Sequence, residues 1–590
     1  MADGTPRPKR APRPPKPPTD AARLWQSRLT RASKQYKKWS EKFECERLDD
    51  YYEGRQWRGL AEEEAFKKYC INLVFATEET QLPALLFSKP KVSVDARPDH
   101  EETANSNASR RATLIEHTLQ TFIDDPKVHF PFETTLALRD AYSRFALIEV
   151  GYTADYIDNP NADKPVLKDD GKTAMTDSEG APIVEPKKSL KRESLFVTRL
   201  VPEHFRISPG RNLLEANDWC AYGDWFPLED VKRNTNYTNT EDLKAGGSLL
   251  DIDSDTDSDR DADETPHDGQ VFLWRIWDLR QKVRHVVADG HRKLLQENKP
   301  FSTVPIAALK FYERRNAWYP LPPVYNWLSP QDEYNESREM QRVHRRRATR
   351  RYMREPQVKK EEFEKLETGE DMVCIEVPKV NPPPIAPVQD APLDAQNWTQ
   401  LAATKDDFGL ISGVSGEQRG QPEAQTATQA NIVNIRAQMR ESRARLQVAD
   451  WLSQIARLML LCVKDHMQLP FMVKRSLDPF TAMSDPQTVQ QTAVTWQEVS
   501  KEDLSDLDVD VKVDVASLSP VAEDAARNAW NVVLQLLTNQ PLLMVLMTPN
   551  PAAPTEPSPL LRKTLHLNGI KSDQEIREIY RVGQVVVAQM

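Results

Sequence analysis

Residues 329–355 read SPQDEYNESREMQRVHRRRATRRYMRE, acidic at the start and strongly basic from the middle onward. The pattern predicts one helix over 326–354. Ser329 can cap its N-terminus, and Pro330 suits a first helical position that needs no N–H. Asp332 and Glu333 sit where carboxylates oppose the positive end of the helix dipole. At about 100° per residue the eight arginines cannot share one face. Arg338, Arg342, Arg345 and Arg346 line one side; Arg347, Arg350, Arg351 and Arg354 line another. A helix this polar has no apolar stripe to bury, so it needs outside partners for stability. The alternative is a solvated helix laced by local pairs such as Glu339 with Arg342.

The segments after this helix are as telling as the helix itself. A compact segment, 355–392, contains DMVCIEVPKV, expected as a short strand, and ends in the proline run VPKVNPPPIAPVQDAP. A helix returns over 393–408. Residues 409–425 then open with GLISGVSGEQRGQ, a loop carrying Gly409, Gly413, Gly416 and Gly420. A long helix, 426–468, closes the series, with an expected apolar stripe of Ile435, Met439, Leu446, Ala449, Ile455 and Leu458, widened by Trp451 and Leu452.

This order of segments resembles the stem, clip, tunnel loop and long helix of the portal proteins of tailed double-stranded DNA bacteriophages. Near the N-terminus, DDYYEGRQWRGL and the following INLVFATEETQLPALLFSKPKVSVDARP resemble the opening of many portal proteins. The resemblance implies an α+β, mostly helical portal fold with wing, stem, clip and crown, assembling as a ring of twelve. It implies stem helices at 326–354 and 393–408, a clip at 355–392 and a tunnel loop at 409–425. By the same token Arg338, Arg342, Arg345, Arg346, Gly413, Gly416, Gln418 and Arg419 would face double-stranded DNA in the channel. Arg347, Arg350, Arg351 and Arg354 would meet a neighbouring subunit. Glu361, Glu362, Glu364, Lys365, Pro382, Pro383 and Pro384 would present the clip to the terminase large subunit, and later to head-completion or tail adaptor proteins. Major capsid and scaffolding proteins are the other implied partners. The implied location is the portal vertex of the virion, after synthesis in the host cytoplasm.

The flanks divide in the same spirit. Residues 1–20 are basic and proline-rich, expected to be disordered, and suit either a DNA- or capsid-contacting tail or a solubilising one. Trp25, Leu29, Ala32, Tyr36, Trp39 and Phe43 then recur at alternating steps of four and three, the mark of an amphipathic helix. Mixed helix and strand fill out a wing over 21–320, with polar loops near 157–191 and 240–268. The wing resumes over 469–519 with a strand at 506–516, where Leu507, Val509, Val511, Val513 and Val515 alternate with polar residues. Residues 520–590 are expected as a helical crown.

Composition excludes several function classes. The 590 residues carry a net charge of −10, with only 19 glycines against 44 prolines. An acidic chain with local basic patches suits a conduit through which a polyanion must slide, because each neutralised phosphate adds affinity. No GxxxxGK[ST], HExxH or GxSxG occurs, so nucleotide hydrolysis by a P-loop, zinc proteolysis and nucleophile-elbow hydrolysis are not encoded. The five cysteines are scattered without a CxxC pair, and neither a metal, a cofactor nor a disulfide framework is expected. The run DIDSDTDSDRDADE has calcium-loop spacing from Asp253 but Ser258 where a glycine belongs; a solvated loop is the expectation. The N-terminus lacks the apolar segment of a secretory signal, and the apolar patch IARLMLLCV is too short to span a bilayer. The competing readings are another structural virion protein, such as a tail adaptor, or a diverged nucleic-acid-processing enzyme.

Overall fold

The computed structural model describes residues 21–584 except 58, 62–63, 65–66, 87–88, 97–105, 159–187, 246–268, 349–351, 357, 369–373, 375, 379–384, 388–395, 415–426, 477–493, 501–503, 505–508, 514–517, 519–530, 532–534, 536–556, 568–575, 577–578 and 582. The basic tail, the acidic run and most of 520–590 thus lie outside the described residues. The first elements are α1 (Ala21–Lys42), α2 (Cys45–Tyr52), α3 (Leu73–Leu85), β1 (Val92–Ala96), α4 (Ser106–Asp124), α5 (Phe130–Ser143), β2 (Ala146–Asp158) and β3 (Lys188–Arg199). Next come β4 (Phe205–Ile207), β5 (Trp219–Pro227), α6 (Leu228–Arg233), β6 (Gln270–Asp278), β7 (Val283–Ala288), β8 (Leu294–Pro300) and β9 (Ile306–Leu309). They are followed by α7 (Leu328–Ala348), β10 (Tyr352–Arg354), α8 (Lys360–Thr368), β11 (Ile385–Pro387), α9 (Gln396–Ser412) and α10 (Ala427–His466). The last are β12 (Phe471–Ser476), β13 (Val494–Val499), β14 (Val509–Val513) and α11 (Pro559–Leu567). This is an α+β chain. It divides into two compact units, one within Met1–Phe43, Leu82–Leu321 and Glu441–Met590, the other within Glu44–Gln81 and Pro322–Arg440.

In the first unit an antiparallel sheet runs β4-β5-β6-β7-β8. The four-and-three spacing of α1 is its buried stripe: Trp25, Leu29 and Ala32 pack with Trp219, Phe272, Trp274, Ile276 and Val287. Alternation along β6 sends Val271 and Leu273 into a second cluster with Val231, Val286, Ala288 and Leu295. Both faces of the sheet are covered, so β6 is apolar at most positions. Gly223 on β5 is needed for close approach, since a Cβ there would meet the Phe272 ring at 2.2 Å. Further along α1, Trp39 stacks on Tyr319 at 5.2 Å and donates its indole N–H to the Pro320 carbonyl at 2.8 Å. Arg206 is buried against the Tyr36 ring, 4.5 Å from its centroid, and donates to Ser33 Oγ at 2.9 Å. Burial pulls its pKa below the ordinary arginine value.

A second sheet orders β3-β2-β9. Glu149 on β2 joins it to the first sheet through Arg275 on β6, with two parallel hydrogen bonds of 2.6 and 2.8 Å. A fork-to-fork pair with a carboxylate this buried is costly to break from one side, because the guanidinium is left without its counter-charge. Glu149→Ala is expected to lower unfolding stability by about 3–5 kcal/mol. Replacing both Glu149 and Arg275 by leucine should restore most of the loss. Denaturant titration of the three variants checks this; equal losses in the single and double variants would contradict it.

β1 pairs with β14, bringing distant parts of the chain together from Val92↔Val513 to Ala96↔Val509. Val511 and Val513 are buried, as their alternation predicts. α10 is tied to this pair by Ser453 Oγ, which accepts the Val513 N–H at 2.9 Å, and by Arg457 with Asp510 at 2.8 Å. The stripe of α10 holds in part. Leu446 is 53 % exposed, whereas Ala449, Trp451, Leu452 and Ile455 of the expected stripe are buried, and Val448 and Met459 join them. Side chains of Ile435 and Met439 are not among those described. The apolar part of α10 is also longer than expected: Ser442–His466 is long and apolar enough to cross a membrane by length and composition. More than half of its apolar window is buried inside the fold, as for a core helix.

In the second unit α7 and α9 lie together. α9 buries Leu401, Thr404 and Phe408, with Trp327 6.2 Å from Phe408. α7 begins at Leu328, so Ser329 and Pro330 fall in its first turn and Ser329 is not its cap. It is described to Ala348, and Tyr352–Arg354 pairs antiparallel with Ile385–Pro387, so the expected helix through Arg354 is corrected. Like charges at Arg342/Arg346, Arg346/Arg350, Arg347/Arg351 and Arg350/Arg354 oppose helix continuation, and strand pairing gives the backbone other partners. The strand expected in DMVCIEVPKV is likewise displaced: Cys374 and Glu376–Pro378 are not in a strand, and β11 supplies the pairing.

Candidate functional site

α7 carries a polar ladder that its charge pattern conceals. Gln331, Asn335 and Glu339 stand four apart on one face and are all buried. They meet the segment Tyr69–Val74, which leads into α3. Gln331 Oε1 accepts the N–H of Leu73 at 2.9 Å and of Val74 at 3.3 Å, while its Nε2 donates to the Ile71 carbonyl at 2.8 Å. Asn335 Oδ1 accepts the Ile71 N–H at 3.1 Å, and Glu339 Oε2 the Tyr69 N–H at 3.0 Å. Arg342 continues the series, donating to the Lys67 carbonyl at 2.8 Å. The fit has a simple origin. Four helical residues rise about 6 Å, and two residues of extended chain about 6.6 Å. Side chains at i, i+4 and i+8 fall beside the N–H groups of Leu73, Ile71 and Tyr69, every second residue of a partner segment that turns into α3 at Leu73.

The segment YYEGRQW feeds the same network. Gln56 is buried; its Nε2 donates to the Tyr51 carbonyl and to Asn72 Oδ1, both at 3.1 Å. Its Oε1 takes the Asn335 amide and the Cys70 thiol. Asn72 Oδ1 accepts the Phe75 N–H at 2.9 Å near the start of α3, and its Nδ2 donates to the carbonyls of Tyr51 and Tyr52. Gly54 makes the reversal with φ +84. Burial pushes the Cys70 thiol up, opposed by its contact with Asn335. Asp332 is held by the Tyr51 hydroxyl and the Arg47 guanidinium. Burial, then the Asp332 bond, raises the Tyr51 hydroxyl above its usual range.

The arginines divide by position. Arg338 and Arg342 are half-buried, with guanidinium carbons 5.5 and 5.9 Å from the Tyr69 ring centroid, and Arg342 also pairs with Glu339 at 3.2 Å. Arg345 and Arg346 are exposed. Arg347 lies in the last turn of α7 and Arg354 opposite Ile385 in β10; their side chains are not described, and Arg350 and Arg351 lie outside the described residues. In the excursion, Glu361, Glu362, Glu364 and Lys365 sit on α8. Lys365 pairs with Glu362 at 2.8 Å, and Glu362 also accepts the Glu376 N–H at 3.1 Å. The Lys365 bond, then the Glu376 bond, lowers the Glu362 pKa. Pro382, Pro383 and Pro384 lie outside the described residues. Gly413 ends α9 with φ +79 and donates its N–H to the Gly409 carbonyl at 2.9 Å, a left-handed helix stop. Gly416, Gln418 and Arg419 lie outside the described residues.

The ladder was the part sequence reasoning missed. Its one signal was the four-residue spacing of two amides and a carboxylate within an otherwise charged helix. Among the described residues no group of His, Cys, Asp and Glu is placed to hold a metal ion. A helix locked at its root, leading to a basic end, a strand-closed excursion and a returning helix, describes a structural connector.

The sequence model of the phage P22-like portal protein family matches residues 162–554, well over half of the chain, and the chain belongs to that family. Its function is accordingly that of a phage portal protein, a structural component of the head-to-tail connector at the capsid's portal vertex, through which the genome is packaged. The family implies an oligomeric ring with capsid and terminase partners. No curated protein matches the chain.

Proposed function

We propose that twelve copies close into a ring whose channel passes double-stranded DNA inward during packaging and outward at infection. α7 and α9 are the stem, 355–392 the clip that docks the terminase large subunit and then head-completion or tail adaptor proteins, and 409–425 the tunnel loop. Residues 21–320 and 469–519 form the wing, and 520–590 the crown. The single observation that carries this reading is the helix, strand-closed excursion and returning helix in a chain of the portal family. The pairing of β1 with β14 supports joining 469–519 to the wing. Arg345 and Arg346, exposed near the end of α7, are the best-supported DNA-facing residues. The mechanism is electrostatic and mechanical: identical subunits surround a sliding polyanion, and few basic contacts keep friction low.

Closed cyclic assembly arises when identical heterologous contacts complete a rotation. Native mass spectrometry of the purified protein, with class averages of portal vertices from particles, should give twelve subunits. A monomer at every concentration together with no ring in particles would sink the proposal.

A further inference from the structure

The solvent side of α1 carries a line of positive charge unrelated to the stem. The helix contains seven basic residues and one acid, Glu41, in a chain of net charge −10. Arg23, Arg31, Lys34 and Lys38 are exposed and fall within an arc of about 80°, opposite the stripe of Trp25, Leu29 and Tyr36. No carboxylate among the described residues pairs with any of the four. A solvated helix face is ordinarily stabilised by charges of both signs at i, i+4. Here the spacings Arg31/Lys34 and Lys34/Lys38 set like charges side by side, which costs helix stability. That cost is removed by a polyanion lying along the helix.

From Arg23 to Lys38 the line spans about 22 Å. Duplex DNA presents about one negative charge per 1.7 Å of axis, so this span matches several successive phosphates. An unpatterned row of cations, with no aromatic exposed among them, suits phosphate contact better than base reading. We propose that the exposed stripe of α1 is a second DNA-contact surface, which takes duplex DNA by its phosphate backbone without sequence preference. The inference rests on the portal reading only for the presence of DNA.

The test uses purified full-length protein and a short linear duplex, with binding read by fluorescence anisotropy across a salt series. Arg23, Arg31, Lys34 and Lys38 are changed together to glutamine, which keeps helix propensity. A second variant carries Arg345→Gln and Arg346→Gln. The stripe variant should bind at least about tenfold more weakly at moderate salt. The slope of log affinity against log salt should shrink by about 3.6, at roughly 0.9 for each of the four phosphates no longer neutralised. The stem variant should lower the slope separately and additively.

Wild-type affinity and slope in the stripe variant would overturn the proposal. So would a changed oligomer mass in that variant, which would make the stripe a contact between copies. Binding of polyglutamate but not duplex by the wild-type protein would assign the stripe to an acidic protein instead. Each of these failures leaves the wild-type ring and its packaging of DNA as they are, and those two wild-type results are what the portal reading is judged by.

Discussion

A subunit in which residues 355–384 are replaced by an Asn-Gly turn should fold and assemble, yet package no DNA. The cut is set by the strand pair that closes the excursion. Arg354 lies opposite Ile385, Met353 opposite Ala386 and Tyr352 opposite Pro387. Two antiparallel strands in that register accept a two-residue type I′ turn, for which Asn-Gly is the favoured sequence. Within the removed part, Glu362 pairs with Lys365 and takes the Glu376 N–H, so these bonds leave with the excursion. Nuclease-protected genome in a complemented infection should fall to the level seen without portal protein, while ring yield is unchanged. Normal packaging would show that the excursion is not the docking surface for the motor.

Gln331→Leu should be the most damaging single change in the second unit, costing on the order of 2–4 kcal/mol. The side chain is fully buried and serves three backbone groups: the N–H of Leu73, the N–H of Val74 and the carbonyl of Ile71. Leucine keeps the volume but removes all three bonds: the Val74 N–H loses its Gln331 acceptor, at about 1–3 kcal/mol for a buried orphan, while the Leu73 N–H and the Ile71 carbonyl keep only their own 3.0 Å bond to each other. Glu336→Ala, at an exposed position on the same helix, should stay within about 0.5 kcal/mol of wild type. Guanidinium titrations of the two variants decide the matter. Similar midpoints would mean that Gln331 is not carrying the ladder.

Where burial keeps to a simple period, the fold was legible. Trp25, Leu29, Ala32, Tyr36, Trp39 and Phe43 are all buried, as their spacing demands, and Val511 and Val513 face inward as alternation requires. Non-local pairing was not legible. Nothing near Tyr352 announces that its partner is Pro387, and a run of arginines looks locally like helix. α10 shows a subtler failure: leucine at 446 fits the apolar stripe that buries Leu452 and Ile455, yet it is exposed and Val448 is buried beside them. In the candidate site the exposed Arg345 and Arg346 stood out by charge, whereas Gln331 and Asn335 did not. Amides score as polar and are assigned to solvent, although backbone N–H groups outside helix and strand want such groups beside them.

The ladder also governs how α7 carries load. Its rungs at Gln331, Asn335 and Glu339 are strung along the helix axis, each bonded to backbone beside it. Tension applied along that axis strains all rungs at once, as in a lap joint, so none fails before its neighbours. A sideways pull at the far end strains them singly, beginning with Arg342 on the Lys67 carbonyl, and the joint peels. The helix root is therefore stiff in shear and compliant in peel, a directional spring set by a four-residue repeat of side-chain amides and acid.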